Sequence, residues 1–446
     1  MLYAFCSVGV DFTRKMTFQK RSIMLLSFFI LIAFQILIMR NWAIFYFAQI
    51  VILDVFMIGG IYAFRGFEFK HTDSINGIFV SYIIGTIFGE LLTLLVTVTV
   101  FDFHKLSGFV FIETGLFSIF VLSFFTWYLL NITIKHLPSK RYLIIGKEEH
   151  LKDIMNEIEK ESMRKISVYK YINPSPALLE VEIKNRNSSL DYKSKHFDSI
   201  LIGNMKLANS VSDILDEAKR ENIPIEYFPN IVEDVLKRVP IEIIGDFEDY
   251  YKIVFSNIDR SRIIKILDIT FSFLILIILS PFVLFSILYI LALDGRPLFF
   301  KQERIGIDGS KFYIYKFRTM DDVEGKAEPV MTKSGKLLRM TRLNEIPQFF
   351  NVLKGDMSIV GPRPDIVSTY DYCMNNIPFY SYRTKVVPGI TGNAQVFYHY
   401  VDRLEYEPFA NRLSYDLYYI KHMNFEMYVE IALKTIEVML FRKGAK

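Results

Sequence analysis

The sequence predicts a membrane protein of mixed α and α/β class. It is expected to comprise an N-terminal four-helix transmembrane bundle, a Rossmann-like α/β module and a monotopic domain with a re-entrant membrane helix. Three observations lead to this fold class. Four long apolar runs fill the first third of the 446 residues, short apolar strands then alternate with helical patterns, and an apolar stretch broken at Ser280-Pro281 precedes a basic, aromatic C-terminal part. The predicted domains are residues 1–138, 139–250 and 251–446.

Bulk composition excludes several classes of protein. Hydrophobic residues make up 52% of the chain and charged residues 22%, which is too apolar for an ordinary soluble enzyme and too charged for a pure membrane bundle. The formal net charge is only +4, and the basic residues cluster near the apolar runs. They suit an anionic membrane surface or phosphate ligands, so we expect no nucleic-acid partner. Cys6 and Cys373 are too few for a disulfide framework or a thiolate zinc site.

The four N-terminal apolar runs are each close to the length that crosses a bilayer, about 20 residues. They occupy residues 23–39, 42–64, 75–100 and 106–132. Only Arg40-Asn41 separates the first two runs, which predicts a tight helical hairpin. Basic residues precede the first run and follow the second and fourth, so both ends of the bundle should face the cytoplasm. Among the acidic residues Asp54, Glu90 and Asp102, Glu90 is the candidate for a transport path, and helix–helix contact is the preferred interpretation.

The fifth apolar stretch, residues 263–293, has a different character. Basic residues flank it on both sides: Arg260, Arg262 and Lys265 before it, and Arg296, Lys301 and Arg304 after it. This favours a cytoplasmic location for both ends. Pro281 removes a backbone donor and clashes with the preceding turn, so the helix should break at Ser280-Pro281. A re-entrant helix-break-helix satisfies these facts. The alternative is a spanning helix with a tolerated proline.

The middle region predicts a parallel α/β sheet, because strand and helix patterns alternate along it. The strand patterns are residues 141–146, 199–203 and 223–228, and the helical patterns are 148–164 and 211–221. Gly146 is followed by Lys-Glu-Glu and not by the further glycines of a dinucleotide fingerprint. A structural or regulatory module is therefore the preferred interpretation, with cofactor binding as the alternative.

The C-terminal part begins with two extended segments, residues 299–306 and 312–320, joined through an Asp308-Gly309 turn. Lys316 and Arg318 should project from one side of the second segment. A helical pattern follows over residues 335–353. It carries Arg339 and Glu345 and has an amphipathic face that suits either the bilayer interface or a globular core.

Three features of this part suit phosphate chemistry. A carboxylate such as Glu345 near Arg and Lys can act as nucleophile, base or magnesium ligand, although an ion-pair role is the commoner one. The prolines of Gly361-Pro-Arg-Pro364 stiffen the chain around Arg363, and arginine suits bidentate phosphate capture. The turn at Gly392 could let backbone donors approach a phosphate, with a plain structural turn as the alternative.

These residues together resemble the bacterial sugar transferases, specifically the large multi-helix branch of the polyprenyl-phosphate hexose-1-phosphate transferases. The matching segments appear in the family's order from residue 263 to the C-terminus. They are Leu279-Ser-Pro281, Phe300-Lys-Gln-Glu-Arg-Ile-Gly306, Tyr315-Lys-Phe-Arg-Thr-Met320, Asn344-Glu-Ile-Pro-Gln348, Gly355-Asp-Met-Ser-Ile-Val-Gly-Pro-Arg-Pro364, Pro388-Gly-Ile-Thr-Gly392 and Asp416-Leu-Tyr-Tyr-Ile420.

The resemblance implies a function. Such enzymes transfer a sugar-1-phosphate from a UDP-sugar to undecaprenyl phosphate, release UMP and use Mg²⁺, and they initiate the synthesis of exopolysaccharide, capsule, O-antigen or glycoconjugates. It also implies a multi-pass protein of the bacterial inner membrane with a cytoplasmic catalytic domain, contacts with membrane lipid, and accessory residues 1–250 whose surfaces would suit a homodimer. The implied catalytic residues are Asn344 and Glu345, with Glu345 also a metal ligand; the implied substrate-binding residues are Lys316, Arg318, Arg339, Asp356, Gly361, Arg363 and Gly392.

The chain departs from the family pattern at two places. The family often has a Gly-Arg pair soon after Gln395, where this chain has Val396-Phe-Tyr-His399. The other departure is at Asn344. The family usually carries Asp-Glu where this chain has Asn344-Glu345, and that aspartate is held to be the nucleophile. Three explanations stay open: a low-activity variant, a chain in which Glu345 takes over attack or metal binding, or direct attack by the acceptor phosphate. The alternative function is a non-catalytic membrane scaffold or regulator of glycan assembly on the same fold.

Overall fold

The computed structural model describes residues 11–39, 43–69, 75–100, 108–173, 176–188, 196–256, 258, 262–321, 329–398 and 405–440. These residues form two compact units, one ending at Glu248 and the other beginning at Asp249. The predicted Arg40-Asn41 turn, Asp102 and Arg260 lie outside the described residues.

The first unit begins with apolar helices. They are α1 (Asp11–Met39), α2 (Ala43–Ala63), α3 (Ile75–Val100) and α4 (Gly108–Phe117), which continues through a π-helical turn (Ser118–Leu122) into α5 (Ser123–His136). In the described residues, three helices are long and apolar enough to cross a membrane, within Met16–Met39, Ile75–Val96 and Gly108–His136, and Phe47–Ala63 is a shorter apolar segment. The predicted series of apolar helices is thereby confirmed, whereas their arrangement as a four-helix transmembrane bundle stays a prediction.

Glycines allow α2 and α3 to pack with their backbones in contact. A Cβ atom on Gly85 would lie 2.5 Å from the Cα of Ile61, and one on Gly89 would lie 2.5 Å from the Cα of Met57. Neither position can carry a side chain unless a helix moves. Close approach through small residues is a common basis of helix association in membranes.

Gly85→Ala is therefore expected to destabilise the first unit by about 1–3 kcal/mol, because the added methyl group would overlap the backbone of α2. Thermal unfolding of the full chain in detergent measures this loss. Gly59→Ala is the matched control, since a Cβ on Gly59 meets no atom within 4 Å. It should leave the melting temperature unchanged or raise it, because alanine favours helix over glycine. Equal effects of the two substitutions would contradict the close contact.

A four-stranded parallel sheet follows, in the order β2-β1-β3-β4. Its strands are β1 (Lys140–Ile145), β2 (Ile166–Ile172), β3 (Ser199–Ile202) and β4 (Ile225–Tyr227), and its helices are α6 (Glu148–Glu161), α7 (Pro176–Ser188), α8 (Met205–Asn209), α9 (Ser212–Arg220) and α10 (Phe228–Leu236). The predicted strands β1, β3 and β4 are confirmed. The prediction missed β2 because it is an edge strand: its middle is exposed, so it lacks the continuous apolar run of a central strand.

Glycines follow strands β1 and β3 in the module for which cofactor binding is the alternative prediction. Cβ atoms on Gly146 and Gly203 would lie 2.6 and 2.3 Å from the Leu151 side chain. The glycines at the ends of β1 and β3 therefore make room for an apolar side chain of α6. The packing of Leu151 against the sheet therefore accounts for both glycines.

After α11 (Glu248–Ser256), the second unit contains the interrupted apolar helix. It consists of α12 (Arg262–Ile278) and α13 (Ser280–Leu293), which are bent by 60° relative to each other. The predicted break at Ser280-Pro281 is thus confirmed, and the re-entrant path through the membrane stays a prediction. Asp268 connects α12 to the rest of the unit: its Oδ1 accepts hydrogen bonds from Ile359 N and Tyr428 Oη, both at 2.8 Å.

The predicted hairpin is also present. Strands β5 (Phe299–Ile305) and β6 (Lys311–Phe317) pair antiparallel, and Asp308 and Gly309 adopt positive φ in the turn. The remaining elements are β7 (Met320–Asp321), β8 (Val330–Met331), α14 (Gly335–Met340), α15 (Gln348–Lys354), β9 (Ser358–Val360), α16 (Val367–Asn376), β10 (Gly389–Thr391), α17 (Asn393–Phe397), α18 (Tyr406–His422) and α19 (Phe425–Leu440).

The predicted single helix over residues 335–353 is wrong. Helix α14 ends at Met340, a 3₁₀ turn covers Leu343–Glu345, and α15 starts only at Gln348. Arg342 adopts a left-handed conformation with φ 58°, which ends α14, and Pro347 has no N–H to donate to a preceding carbonyl. Asn344 and Glu345 therefore lie in a fixed turn between two helices and not on a helix face.

Candidate functional site

The carboxylate of Glu345 lies among cationic side chains. Its Oε1 is 3.5 Å from Lys316 Nζ and 3.9 Å from Arg342 Nη1. Burial alone raises the pKa of Glu345, but the charges of Lys316, Arg363 and Arg342 outweigh burial and hold the pKa below its ordinary value of 4.5. Glu345 is therefore ionised at neutral pH.

Lys316 is the closest of these cations. Burial lowers its pKa below the ordinary value of 10.5; Glu345 opposes this shift, and Arg363 and Arg304 add to it. Lys316 therefore loses its proton at a lower pH than an exposed lysine does. The negative charge of Glu345 helps to keep Lys316 protonated. A phosphate arriving beside Lys316 would stabilise the charged form in the same way.

Asn351 ties strand β6, which carries Lys316, to helix α15, which follows Glu345. Its Nδ2 donates to the Tyr313 carbonyl at 2.7 Å, and its Oδ1 accepts from Tyr315 N at 3.1 Å. Helix α15 is thereby tied to β6, which bears Lys316. The sequence prediction missed Asn351. Its only signal is an amide one helical turn after Gln348 in a short helix.

Asn344 is buried beside Glu345, and its Oδ1 has no hydrogen-bond partner among the described residues. An unpartnered amide oxygen in a buried position is an available acceptor or ligand. It is a much weaker nucleophile than a carboxylate.

The loop around Arg363 is held by close backbone contacts. Gly361 N donates to Thr391 O at 2.8 Å, and a Cβ atom on Gly392 would lie 2.2 Å from Gly361 O. Both glycines therefore serve the packing of the β9 and β10 ends. The N–H of Gly361 already donates a hydrogen bond there. A plain structural turn therefore accounts for both glycines. A phosphate-binding role for them stays a prediction.

Four buried charges lie behind this loop. Asp365 pairs with both Arg383 and Arg412, the latter at 3.0 Å, and Asp416 accepts from Arg383 Nε at 2.7 Å. Each arginine also donates through Nη2 to the backbone oxygen of Arg363, at 2.8 and 2.7 Å. Two positive and two negative groups thus balance within the core and fix the backbone of Arg363.

A small open recess connects these parts. Its lining includes the polar side chains Arg304, Lys316, Gln348 and Arg363. Three of these four side chains are cationic, so the recess can receive an anionic group. Glu345 supplies the negative charge beside Lys316. This arrangement suits a phosphate that is held by cations and aligned next to an ionised carboxylate.

The sequence model of the family described as bacterial sugar transferase matches residues 260–442. A UDP-glucose:undecaprenyl-phosphate glucose-1-phosphate transferase of Caulobacter vibrioides is 33% identical over 189 residues, which are 41% of this chain and 71% of that protein. The chain belongs to the bacterial sugar transferase family.

Two further members of the family are similar to the chain. A UDP-N-acetylgalactosamine-undecaprenyl-phosphate N-acetylgalactosaminephosphotransferase of Aeromonas hydrophila is 33% identical over 248 residues, 54% of this chain and 58% of that protein. A UDP-glucose:undecaprenyl-phosphate glucose-1-phosphate transferase of Klebsiella pneumoniae is 38% identical over 186 residues, 40% of each chain. The chain thus spans about half the length of these two relatives. The predicted resemblance to the bacterial sugar transferase family is confirmed.

Within the part that matches the family, Arg318 has partners of its own. It donates to the carbonyls of Asp294 and Gly295, at 2.7 and 3.0 Å, and pairs with Asp321 at 3.0 Å. These contacts hold Arg318 at the end of α13. Its projection beside Lys316 and its role in substrate binding stay predictions.

Two other predicted residues of the family site have local partners. Arg339 is exposed and donates through Nε to Thr319 Oγ1 at 3.0 Å. Asp356 pairs with Lys354 at 2.9 Å. The structure therefore brings Lys316, Asn344, Glu345 and Arg363 to one place, while the roles of Arg339 and Asp356 in substrate binding stay predictions.

The family resemblance implies a Mg²⁺ ion, which would need oxygen ligands from the protein. In the described part of the chain, no three His, Cys, Asp or Glu side chains gather as a metal site. The Glu345 carboxylate and the unpartnered Asn344 Oδ1 are both hard oxygen donors. Magnesium commonly takes only one or two carboxylates together with substrate phosphates. The residues therefore fit a magnesium ion shared with a diphosphate substrate.

Proposed function

We propose that this chain transfers a sugar-1-phosphate from a UDP-sugar to undecaprenyl phosphate at the cytoplasmic face of the bacterial inner membrane. UMP is released, and the lipid-linked sugar initiates synthesis of an exopolysaccharide, capsule, O-antigen or glycoconjugate. The ionised Glu345 beside Lys316, at the cationic recess, is the observation that carries this function. The names of the relatives, which act on UDP-sugars and undecaprenyl phosphate, support it.

The reaction is a displacement at the β-phosphorus of the UDP-sugar. An oxygen of the attacking group forms a bond to that phosphorus, and the bond from the phosphorus to the bridging oxygen breaks. UMP leaves with the bridging oxygen and its electron pair. Lys316 and Arg363 offset the charge of the diphosphate, and phosphoryl transfer depends largely on such positioning and charge.

We favour direct attack by the acceptor phosphate for this chain. Asn344 has no carboxylate to form a covalent intermediate, and Glu345 is engaged by two cations within 4 Å. In this role Glu345 keeps Lys316 charged and oriented. When bound, magnesium would lower the charge of the diphosphate, with Glu345 and Asn344 Oδ1 as its protein ligands.

The test is UMP release by the full chain in nanodiscs, with undecaprenyl phosphate, magnesium and a panel of UDP-sugars. Direct attack requires that UMP appear only when the acceptor lipid is present. A stoichiometric burst of UMP without acceptor would show that a covalent intermediate forms, and would overturn direct attack. Asn344→Asp is the informative comparison, because a carboxylate at this position should produce that burst.

The alternative function is a non-catalytic scaffold or regulator of glycan assembly, which Asn344 favours. It requires that the unmodified chain release no UMP with any UDP-sugar of a broad panel. Activity in Asn344→Asp alone would then show that the recess is intact and only the nucleophile is missing.

The pH profile of UMP release should have a basic limb set by Lys316. The lysine is charged at low pH, and because its pKa is lowered, it loses its charge at a pH below the ordinary 10.5 as the pH rises. Lys316→Arg should keep the activity at basic pH, since a guanidinium does not deprotonate in this range. If the pH profile of Lys316→Arg keeps the same basic limb, that limb belongs to a group other than Lys316. Glu345 should contribute no acid limb above pH 4.5, because its pKa lies below that value.

Residues 1–250 would then act as accessory domains, divided at 138, with 251–446 as the catalytic domain. We propose that α12 and α13 form a re-entrant hairpin that holds the lipid acceptor at the membrane surface. A homodimer is a further expectation, which size measurement in nanodiscs would check.

A further inference from the structure

The apolar helices of the first unit contain a layer of polar side chains that the transferase reaction does not use. It consists of Gln35 on α1, Asp54 on α2, Glu90 on α3 and Thr114 on α4. The side chains of Gln35, Asp54 and Thr114 have 0% exposure, although each lies within a predominantly apolar segment of its helix. Ionisable groups in such positions are costly and often mark functional sites.

Three of the four side chains meet through short contacts, and Glu90 lies next to them along α4. Gln35 Nε2 donates to Asp54 Oδ1 at 2.8 Å and lies 3.4 Å from Thr114 Oγ1. Glu90 Oε1 lies against the next residue of α4, since a Cβ atom on Gly115 would be 2.5 Å from it. The carboxylates of Asp54 and Glu90 thus approach the same stretch of α4.

Three oxygen atoms of this layer lack a hydrogen-bond partner within the described residues: Gln35 Oε1, Asp54 Oδ2 and Glu90 Oε1. All three are acceptors, so the layer is short of positive charge and of donors. A proton on Asp54 would remove one charge but would leave the amide oxygen of Gln35 unsatisfied. An ordered water would supply donors but no charge. A bound cation would supply positive charge to the carboxylates and a partner to the amide oxygen of Gln35.

We propose that this layer binds a small monovalent cation of the sodium class through its unpartnered oxygens Gln35 Oε1 and Asp54 Oδ2, with Glu90 in its outer environment. Oxygen donors suit hard cations. A small divalent ion such as magnesium gives up its waters reluctantly, and a layer buried between apolar helices does not offer room for them.

The test measures thermal unfolding of the full chain in detergent, in NaCl and in choline chloride of equal ionic strength, with binding of radioactive sodium ions in parallel. At a sodium concentration about 100 times the dissociation constant, we expect the melting temperature to rise by about 5 °C over choline. Asp54→Asn should abolish both the rise and sodium retention. Glu90→Gln, the second variant, should weaken sodium binding without removing it.

Thr126→Val is the matched control. It removes a buried hydrogen bond of the same helices, the 2.7 Å contact between Tyr82 Oη and Thr126 Oγ1, without touching the layer. It should lower the melting temperature equally in both salts. Equal melting temperatures of the unmodified chain in sodium and choline with no retained sodium, or an undiminished sodium effect in Asp54→Asn, would overturn the site. Neither outcome depends on transferase activity.

Discussion

Glu345→Gln should lower the rate of UMP release by about 10²- to 10³-fold, because glutamine has the same size but carries no charge. Without the carboxylate, Lys316 loses the partner that opposes the lowering of its pKa, and Arg363 and Arg304 repel it unopposed. The loss should appear in kcat at saturating substrates, since the cationic recess would still attract the diphosphate. Steady-state kinetics with undecaprenyl phosphate and the best UDP-sugar of the panel measure it.

The control for this prediction is Glu303→Gln. Glu303 pairs with Lys311 at 3.1 Å on the same hairpin, and both side chains are largely exposed, at 38% and 55%. An exposed ion pair of this kind contributes little, so this variant should retain its activity. A rate for Glu345→Gln within about threefold of the unmodified chain would place the reaction outside the proposed recess.

Asp365→Asn should have the largest effect on stability. It leaves Arg383 and Arg412 in the core with Asp416 as their remaining anionic partner in the network. Breaking a buried ion pair on one side typically costs about 3–5 kcal/mol. For a unit of this size the melting temperature should fall by about 10 °C. Thermal unfolding in detergent measures the fall.

The same substitution also tests whether the network positions Arg363. Both arginines donate to the backbone oxygen of Arg363, so a disturbed network should raise the KM for the UDP-sugar at temperatures where the variant is still folded. Asp371→Asn, at an exposed aspartate of the nearby helix α16, should change neither quantity. A destabilised Asp365→Asn with unchanged KM would restrict the network to a purely structural role.

Local sequence patterns predicted the elements that depend on short-range physics. The apolar runs predicted the long N-terminal helices, Pro281 predicted the break between α12 and α13, and Asp308-Gly309 predicted the hairpin turn. The ordered motifs after residue 263 predicted the family. In each case the signal lies within a few residues of the feature, because helix length, proline geometry and positive φ are local properties.

The candidate site was only partly predictable. Lys316, Glu345 and Arg363 were chosen as charged residues in suggestive motifs. The structure places Lys316 and Arg363 in the lining of one recess and Glu345 beside Lys316. Arg318 was chosen on the same grounds and lies at the end of α13. Residues that position the site, such as Asn351, gave no comparable signal, because one polar residue among apolar ones does not identify its partner.

The sequence by itself determined the series of apolar helices, the parallel strands β1, β3 and β4, the interrupted helix and the family. Only the tertiary structure decided that residues 335–353 break into two helices around Glu345. It alone brought together charges far apart in the chain: Asp365, Arg383, Arg412 and Asp416. It likewise placed Gln35 beside Asp54 and Thr114. Buried charges require partners, and the fold, not the chain's local pattern, determines which side chains are near enough to serve.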